Sequence, residues 1–223
     1  MCGRFTLTMD LSELQELFPW IDFGVDHHPR YNIAPSQSIL AIPNTGDNKA
    51  QLFRWGLIPH WAKDPSIGNK MINARGETVS EKPSFKNAYK KKRCLIPADG
   101  FYEWKKEGTG KTPYLIRLKS NQPFMLAGLW EKWEPPDEEP IYSCTIITTE
   151  ANELLKSIHP RMPVILEPSS YDLWLDNATQ ITVQLDGLLV PFNDQEMETF
   201  PVSKVVNNPR NDSDECVKPA AAS

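Results

Sequence analysis

This sequence predicts an α+β single domain arranged around a curved, largely antiparallel β-sheet with peripheral helices. Three observations point there. From Arg93 to Thr149 the chain reads as successive strands separated by turn residues. Helical spacing is confined to short stretches near the start, before Arg93 and after residue 150. Twenty prolines in 223 residues favour short strands and irregular connections over long helices.

Taken in order, Gly3 to Thr8 reads as a short strand. Asp10 is a helix N-cap with Glu13 three residues on, and Leu11, Leu14, Leu17 and Phe18 keep helical spacing until Pro19. Ser38 to Ile42 and Gln51 to Leu57 alternate as strands do. Pro83 to Lys92 is helical, with proline near its first turn. Strands follow over 93–97, 101–105, 113–118, 124–133 and 141–148. Gly108-Thr109-Gly110 and Ser120-Asn121-Gln122 supply turns, which predicts an antiparallel hairpin at each. Helices are expected near 150–156, 168–175 and 178–186. From Asn207 the chain is polar and ends Pro-Ala-Ala-Ala-Ser, so a domain over 1–206 and a disordered tail over 207–223 are expected.

Hydrophobic residues make up 40% and charged residues 24% of the chain, ordinary values for a soluble globular protein. The apolar run Phe124 to Trp130 is far too short to cross a bilayer, and Asp10, Glu13 and Glu16 break up any leader-like core at the start. A cytoplasmic protein without a membrane partner is expected, and a monomer is the simplest assumption. No G-x-G-x-x-G or Walker loop is present, so no nucleotide cofactor is expected. The four cysteines are widely spaced, which argues against zinc or a disulfide framework. Cys94 and Cys144 sit in apolar strand-like runs as small buried hydrophobes, and Cys216 lies incidentally in the polar tail.

Net charge is −5, which at first sight argues against a nucleic-acid partner. The distribution argues otherwise. Residues 51–120 hold 15 Lys/Arg against 6 Asp/Glu, a net of +9, while the remainder holds 9 against 23, a net of −14. Such a polarised chain can track phosphates. For Lys90 to Arg93 taken alone, a solvated lysine-rich helix is the better reading.

Cys2 directly follows Met1. If Met1 is removed, Cys2 presents an amine and a thiol two carbons apart, and this aminothiol can close a five-membered thiazolidine on an aldehyde. The α-amino group has an ordinary pKa of roughly 7.7–8.0, so part of it is nucleophilic at neutral pH. By itself the position is equally open to any residue. Several further segments are more polar than their apolar context: Arg30 to Pro35, Arg54 to Trp61, Met71 to Thr78, Ala98 to Trp104 and Ser157 to Pro163. Each has a structural alternative, such as a turn at Asp99-Gly100, an exposed strand acid at Glu103, or a helix-capping His159.

Together, MCGRF, RYNIAP, WGLIP followed by Trp61, INARGET, ADGFYEW and IHPRMP resemble, in order and spacing, the SRAP family of SOS response-associated peptidases, understood as abasic-site processing proteins. The resemblance spans Cys2 to about Val206. It implies the SRAP fold, with a barrel-like core, and binding of single-stranded DNA that carries an abasic site, with a preference for single strands beside a duplex junction. It also implies a thiazolidine crosslink from Cys2 to the ring-opened sugar. On the same basis Asn73 orients the sugar or the N-terminal backbone, Glu103 moves protons, and His159 acts as acid or base near the sugar hydroxyl. Arg4, Arg75, Lys86 and Lys90 to Arg93 are candidates for phosphate contact; Pro35, Trp61 and Trp104 are candidates for stacking or wedging against bases. Trp55 is favoured as core. Related sequences place two tryptophans where this chain has His60-Trp61, which leaves stacking to position 61. Two other classes stay open: a thiol peptidase acting on its own Met1 bond, and a noncatalytic reader of damaged DNA.

Overall fold

A computed structural model describes residues 2–136, 138–179 and 182–220. Gln180 and Ile181, inside the helix expected over 178–186, and the last three residues of the expected tail lie outside the described residues. The strands are β1 (Phe5–Leu7), β2 (Arg30–Ile33), β3 (Ser38–Pro43), β4 (Gln51–Trp55), β5 (Asn73–Arg75), β6 (Arg93–Ala98) and β7 (Gly100–Glu107). After them come β8 (Gly110–Leu118), β9 (Phe124–Trp133), β10 (Ile141–Glu150), β11 (Arg161–Pro163), β12 (Ile165–Leu166) and β13 (Met197–Pro201). Helices are short: α1 (Leu11–Leu17), α2 (Lys86–Lys91), α3 (Glu153–Lys156), α4 (Tyr171–Leu175) and α5 (Thr182–Asp186).

β10, β4, β3, β6 and β9 pair in that order, and β9 pairs back onto β10, closing a five-stranded barrel. All its pairings are antiparallel except β10 with β4. A second sheet runs β13-β8-β7-β1-β2, antiparallel throughout. The two meet where Phe5 of β1 packs edge-on against Trp55 of β4, with ring centroids 5.2 Å apart. Trp55 is fully buried and donates its indole N–H to the Ile72 carbonyl, as a core residue should.

Local chemistry explains the elements that position the site. α1 begins with the expected capping box: Asp10 accepts from the Ser12 and Glu13 amides, and Glu13 accepts from the Asp10 amide. β4 leaves the barrel at Gly56, whose φ of +130 and backbone contact with Gly68 admit no side chain; a Cβ there would lie 2.5 Å from the Gly68 oxygen. The excursion returns as β5, which takes the place beside β10 that β4 has vacated. Gly100 lets β1 lie close on β7, since a Cβ would come within 2.8 Å of Thr6 Oγ1.

Two expectations fail. Glu107–Gly110 does form a hairpin between β7 and β8, but the turn at Ser120 to Gln122 does not. It carries the chain from one sheet to the other: β8 pairs with β7 and β13, whereas β9 pairs with β6, β10 and β12. The tail from Asn207 is packed rather than disordered as far as Ala220. Cys216 is fully buried with Tyr102, Leu115, Val202 and Val206, and Val202 bridges to Pro219. Its polar residues, read from composition as solvated, instead satisfy strand ends: the Asp212 carboxylate accepts the backbone N–H groups of Tyr31 and Asn32 at 2.6 and 2.9 Å.

Candidate active site and nucleic-acid interface

β1 places the residues before it along the edge of β7, where Tyr102 N–H donates to the Arg4 carbonyl at 2.9 Å. Cys2 therefore lies beside Glu103, and it is fully buried. Asn73, at the start of β5, donates its amide to the Cys2 carbonyl at 2.8 Å. Its Oδ1 is buried and has no hydrogen-bond partner among the described residues. His159 follows α3, and its Nδ1 lies 3.9 Å from Glu103 Oε1. Four residues far apart in the chain, Cys2, Asn73, Glu103 and His159, thus form one cluster.

The electrostatics follow from burial. Glu103, 4% exposed, has its carboxyl pushed up to about 7 by loss of solvation. His159 is pushed below 6.5 by the same cause, so its ring is neutral at pH 7. Burial, and then the Glu103 charge, push the Cys2 thiol up to about 12, against which the Arg4 backbone N–H works. A carboxyl that titrates near neutrality beside a neutral imidazole is equipped to give and take protons.

A supporting network holds His159. Arg161 forks onto both carboxylate oxygens of Glu77, at 2.9 Å for Nη2, and Nη2 also donates to the Thr148 carbonyl at 2.6 Å. The Arg161 backbone N–H donates to His159 Nδ1 at 3.1 Å, which fixes the ring. Glu77 and Arg161 stand in motifs that sequence reasoning quoted without giving them a role. Asn32, fully buried, was missed as well; an amide between Tyr31 and Ile33 in a strand was the available signal. Asp212 had none.

The expected DNA contacts divide. Trp61 is 51% exposed, on the excursion between β4 and β5, and lines a surface hollow of about 490 Å³ with Lys63 and Lys70. The same excursion leads directly into Asn73. Arg75, two residues further along β5, is exposed, and Pro35 is half-buried. Lys86 is exposed on α2, which packs on β6 and β9 and not on the strands that carry the cluster.

Arg4 and Trp104 face inward more than expected. Arg4 Nη1 donates to Asn32 Oδ1 and to the Val206 carbonyl, at 2.7 and 2.8 Å. Its guanidinium lies 5.7 Å from the Trp104 ring centroid, and Trp104 donates its indole N–H to Asn207 at 2.8 Å. Arg93 cannot reach a phosphate. It is fully buried and donates to the carbonyls of Tyr89, Lys90, Trp174, Asp176 and Thr179, tying the ends of α2 and α4 together. Lys92 pairs with the buried Glu131 and is partly exposed, while Lys90 and Lys91 of that run are exposed to solvent.

A closed barrel flanked by a second sheet thus carries one cluster in which Cys2, held by the Asn73 amide, lies beside the Glu103 carboxyl and the His159 imidazole. The chain belongs to the SOS response associated peptidase (SRAP) family, whose model matches residues 1–209. It is 50% identical over 222 residues to the abasic site processing protein YoqW of Bacillus subtilis, covering 98% of this chain and 99% of that one. Against the abasic site processing protein HMCES of Gallus gallus it is 34% identical over 264 residues, covering 98% of this chain and 78% of the relative. A crystal structure of a protein from Bacteroides thetaiotaomicron superposes with a TM-score of 0.89 at 28% identity, covering 98% of this chain and all of that one. Among the described residues no helix is long and apolar enough to cross a membrane.

Proposed function

We propose that this protein processes abasic sites in single-stranded DNA by covalent capture through Cys2 once Met1 has been removed. The freed amine adds to the C1′ aldehyde of the ring-opened sugar, and the carbinolamine loses water to give an imine. The thiol then adds to the carbon of the protonated imine, forming the C–S bond as the C=N electron pair returns to nitrogen and the thiol proton is released. The net result is a thiazolidine and one water, with no oxidant or metal required. Glu103 supplies the proton that leaves with water and accepts the one released as sulfur attacks. Asn73 holds the Cys2 carbonyl and offers its open Oδ1 to a sugar hydroxyl; His159 exchanges protons with that hydroxyl. Trp61 stacks on a base beside the lesion, with phosphates against Arg75, Lys63 and Lys70.

The observation that carries this reading is the convergence of Asn73, Glu103 and His159 on Cys2. It is supported by relatives named for abasic-site processing across nearly the full chain. The buried, protonated thiol weighs against a peptidase, because thiol proteases depend on a depressed thiol pKa. The test is a denaturing gel of processed protein incubated with a single-stranded oligonucleotide bearing one abasic site. A heat-stable band that Cys2→Ala abolishes and Glu103→Ala slows is expected. Binding without that band identifies a noncatalytic reader instead, and peptide cleavage without it identifies a peptidase.

A further inference from the structure

The segment beyond residue 209 lies outside the stretch matched by the family model, yet it is wired to the N-terminus. Asp212 Oδ1 accepts the backbone N–H groups of Tyr31 and Asn32, while Oδ2 pairs with Arg30 Nε. Asn32, thereby fixed in β2, donates its side-chain amide to the carbonyls of Val206, Asn208 and Asn211, at 3.2, 3.1 and 2.6 Å. Its Oδ1 receives Arg4 Nη1 at 2.7 Å. Arg4 in turn is bonded to the acid-bearing strand through Tyr102 N–H, and its own backbone N–H faces the Cys2 sulfur. A continuous path of hydrogen bonds thus runs from the C-terminal strap to the reacting residue. Buried amides such as Asn32 hold one geometry only while every partner is present.

We propose that Asp212 is a positioning residue for Cys2, acting through the Tyr31 and Asn32 backbone, the Asn32 side chain and Arg4, a role that rests on the covalent-capture reading of the site. The C-terminal strap closes over β2 and Arg4 and keeps the aminothiol at the geometry from which it meets the sugar. It contributes no group to the reaction itself. Misplacement of a reacting group by about 1 Å costs on the order of 100-fold in rate, so a loosened anchor shows in the rate before it shows in binding.

The test compares Asp212→Ala and Asp212→Asn in the full chain. Asparagine keeps an oxygen that accepts both backbone N–H groups and loses the charge and the acceptor opposite Arg30 Nε. At saturating abasic oligonucleotide, D212A is expected to form adduct at least about fivefold more slowly, with affinity for an undamaged oligonucleotide unchanged, and D212N to recover most of the rate. Hydrogen–deuterium exchange of the peptides spanning residues 2–7 and 30–33 gives a second readout that needs no DNA. Both peptides are expected to exchange faster in D212A and at the wild-type rate in D212N. Faster exchange in 30–33 alone, or an adduct rate in D212A equal to wild type, overturns the positioning role. D212N behaving as D212A overturns the route through the backbone amides. Should the wild type form no adduct, the capture reading fails by itself, and exchange in residues 2–7 still decides whether the strap holds Cys2.

Discussion

Replacing Glu103 by glutamine is expected to make the protein more stable at alkaline pH while it slows capture. The carboxyl titrates at about 7 in the fold against its usual 4.5. Between those values the native state holds a proton that the unfolded chain has released, so stability falls as pH rises through this window. Below 4.5 both states are protonated and the contribution is fully present; above 7 both are ionised and it is gone. A shift of that size amounts to about 3 kcal/mol, with no discount for solvent because the side chain is buried. Glutamine has the shape of the protonated acid and never ionises, so it keeps what the native protein loses. The difference between Glu103→Gln and wild type is therefore about zero near pH 4 and about 3 kcal/mol at pH 8, or roughly 6–12 °C in Tm for a chain of this length. His159 works with the opposite sign, its depressed pKa adding stability that is lost as pH falls, but it is present in both proteins and drops out of the comparison to first order. Urea unfolding at the two pH values measures the gap. An equal gap at both, or a wild type that is the more stable at pH 8, would falsify the assignment of a strained acid.

The other expectations concern the interface and the corrected residues. Trp61→Ala should weaken binding of single-stranded DNA by about 1–3 kcal/mol with no change in Tm, as measured by fluorescence anisotropy, since the ring is half exposed and stacks only in the complex. Affinity should fall linearly on a log–log plot against salt, by about 0.7 per phosphate contacted, and a flat plot rules out the basic interface. Arg93→Met should cost about 2–4 kcal/mol in unfolding free energy while leaving DNA affinity of the folded protein intact, because it strands five carbonyls, two of them buried and three part-buried. Asn73→Ala should slow adduct formation at saturating DNA more than it weakens binding, since it frees the Cys2 carbonyl; an equal loss in both makes Asn73 a binding residue only.

What the sequence made legible follows from where the periodic signal was strong. The β6, β7, β9 and β10 strands were found nearly to the residue because each is a long run of buried or alternating residues bounded by glycine, proline or charge. β5 and β11, three residues each, offer too short a window for any period, yet they carry Asn73 and Arg161. The hairpin at Ser120 to Gln122 failed because a turn fixes only that the chain reverses. Which sheet receives the next strand depends on burial on both faces of β9, which no local signal encodes. The tail failed for a similar reason. Asn, Asp and Pro read as solvated until the partners that accept or donate to them are known, and for Asp212 those partners lie 180 residues back in the chain. The candidate cluster of Cys2, Asn73, Glu103 and His159 was legible only through a resemblance that joined six short motifs. Arg93 shows the converse: a cation in a lysine-rich run reads as surface, although five carbonyls at two helix ends had already claimed it.

In the proposed capture, burial of Cys2 also sets the order in which the chemistry runs. With the thiol held at about 12, thiolate is on the order of one part in 10⁵ at pH 7, so sulfur cannot open the reaction. The amine of a processed Cys2, with an ordinary pKa of roughly 7.7–8.0, is the group that can. Once nitrogen has bound the aldehyde carbon, the sulfur two carbons away is delivered to the imine at high effective concentration. The proton it must shed then has an acceptor alongside, the Glu103 carboxylate, whose own pKa near 7 makes it as ready to return that proton as to take it. Burial and the neighbouring Glu103 carboxyl outweigh the amino-terminal charge and the Arg4 backbone N–H, which favour the thiolate.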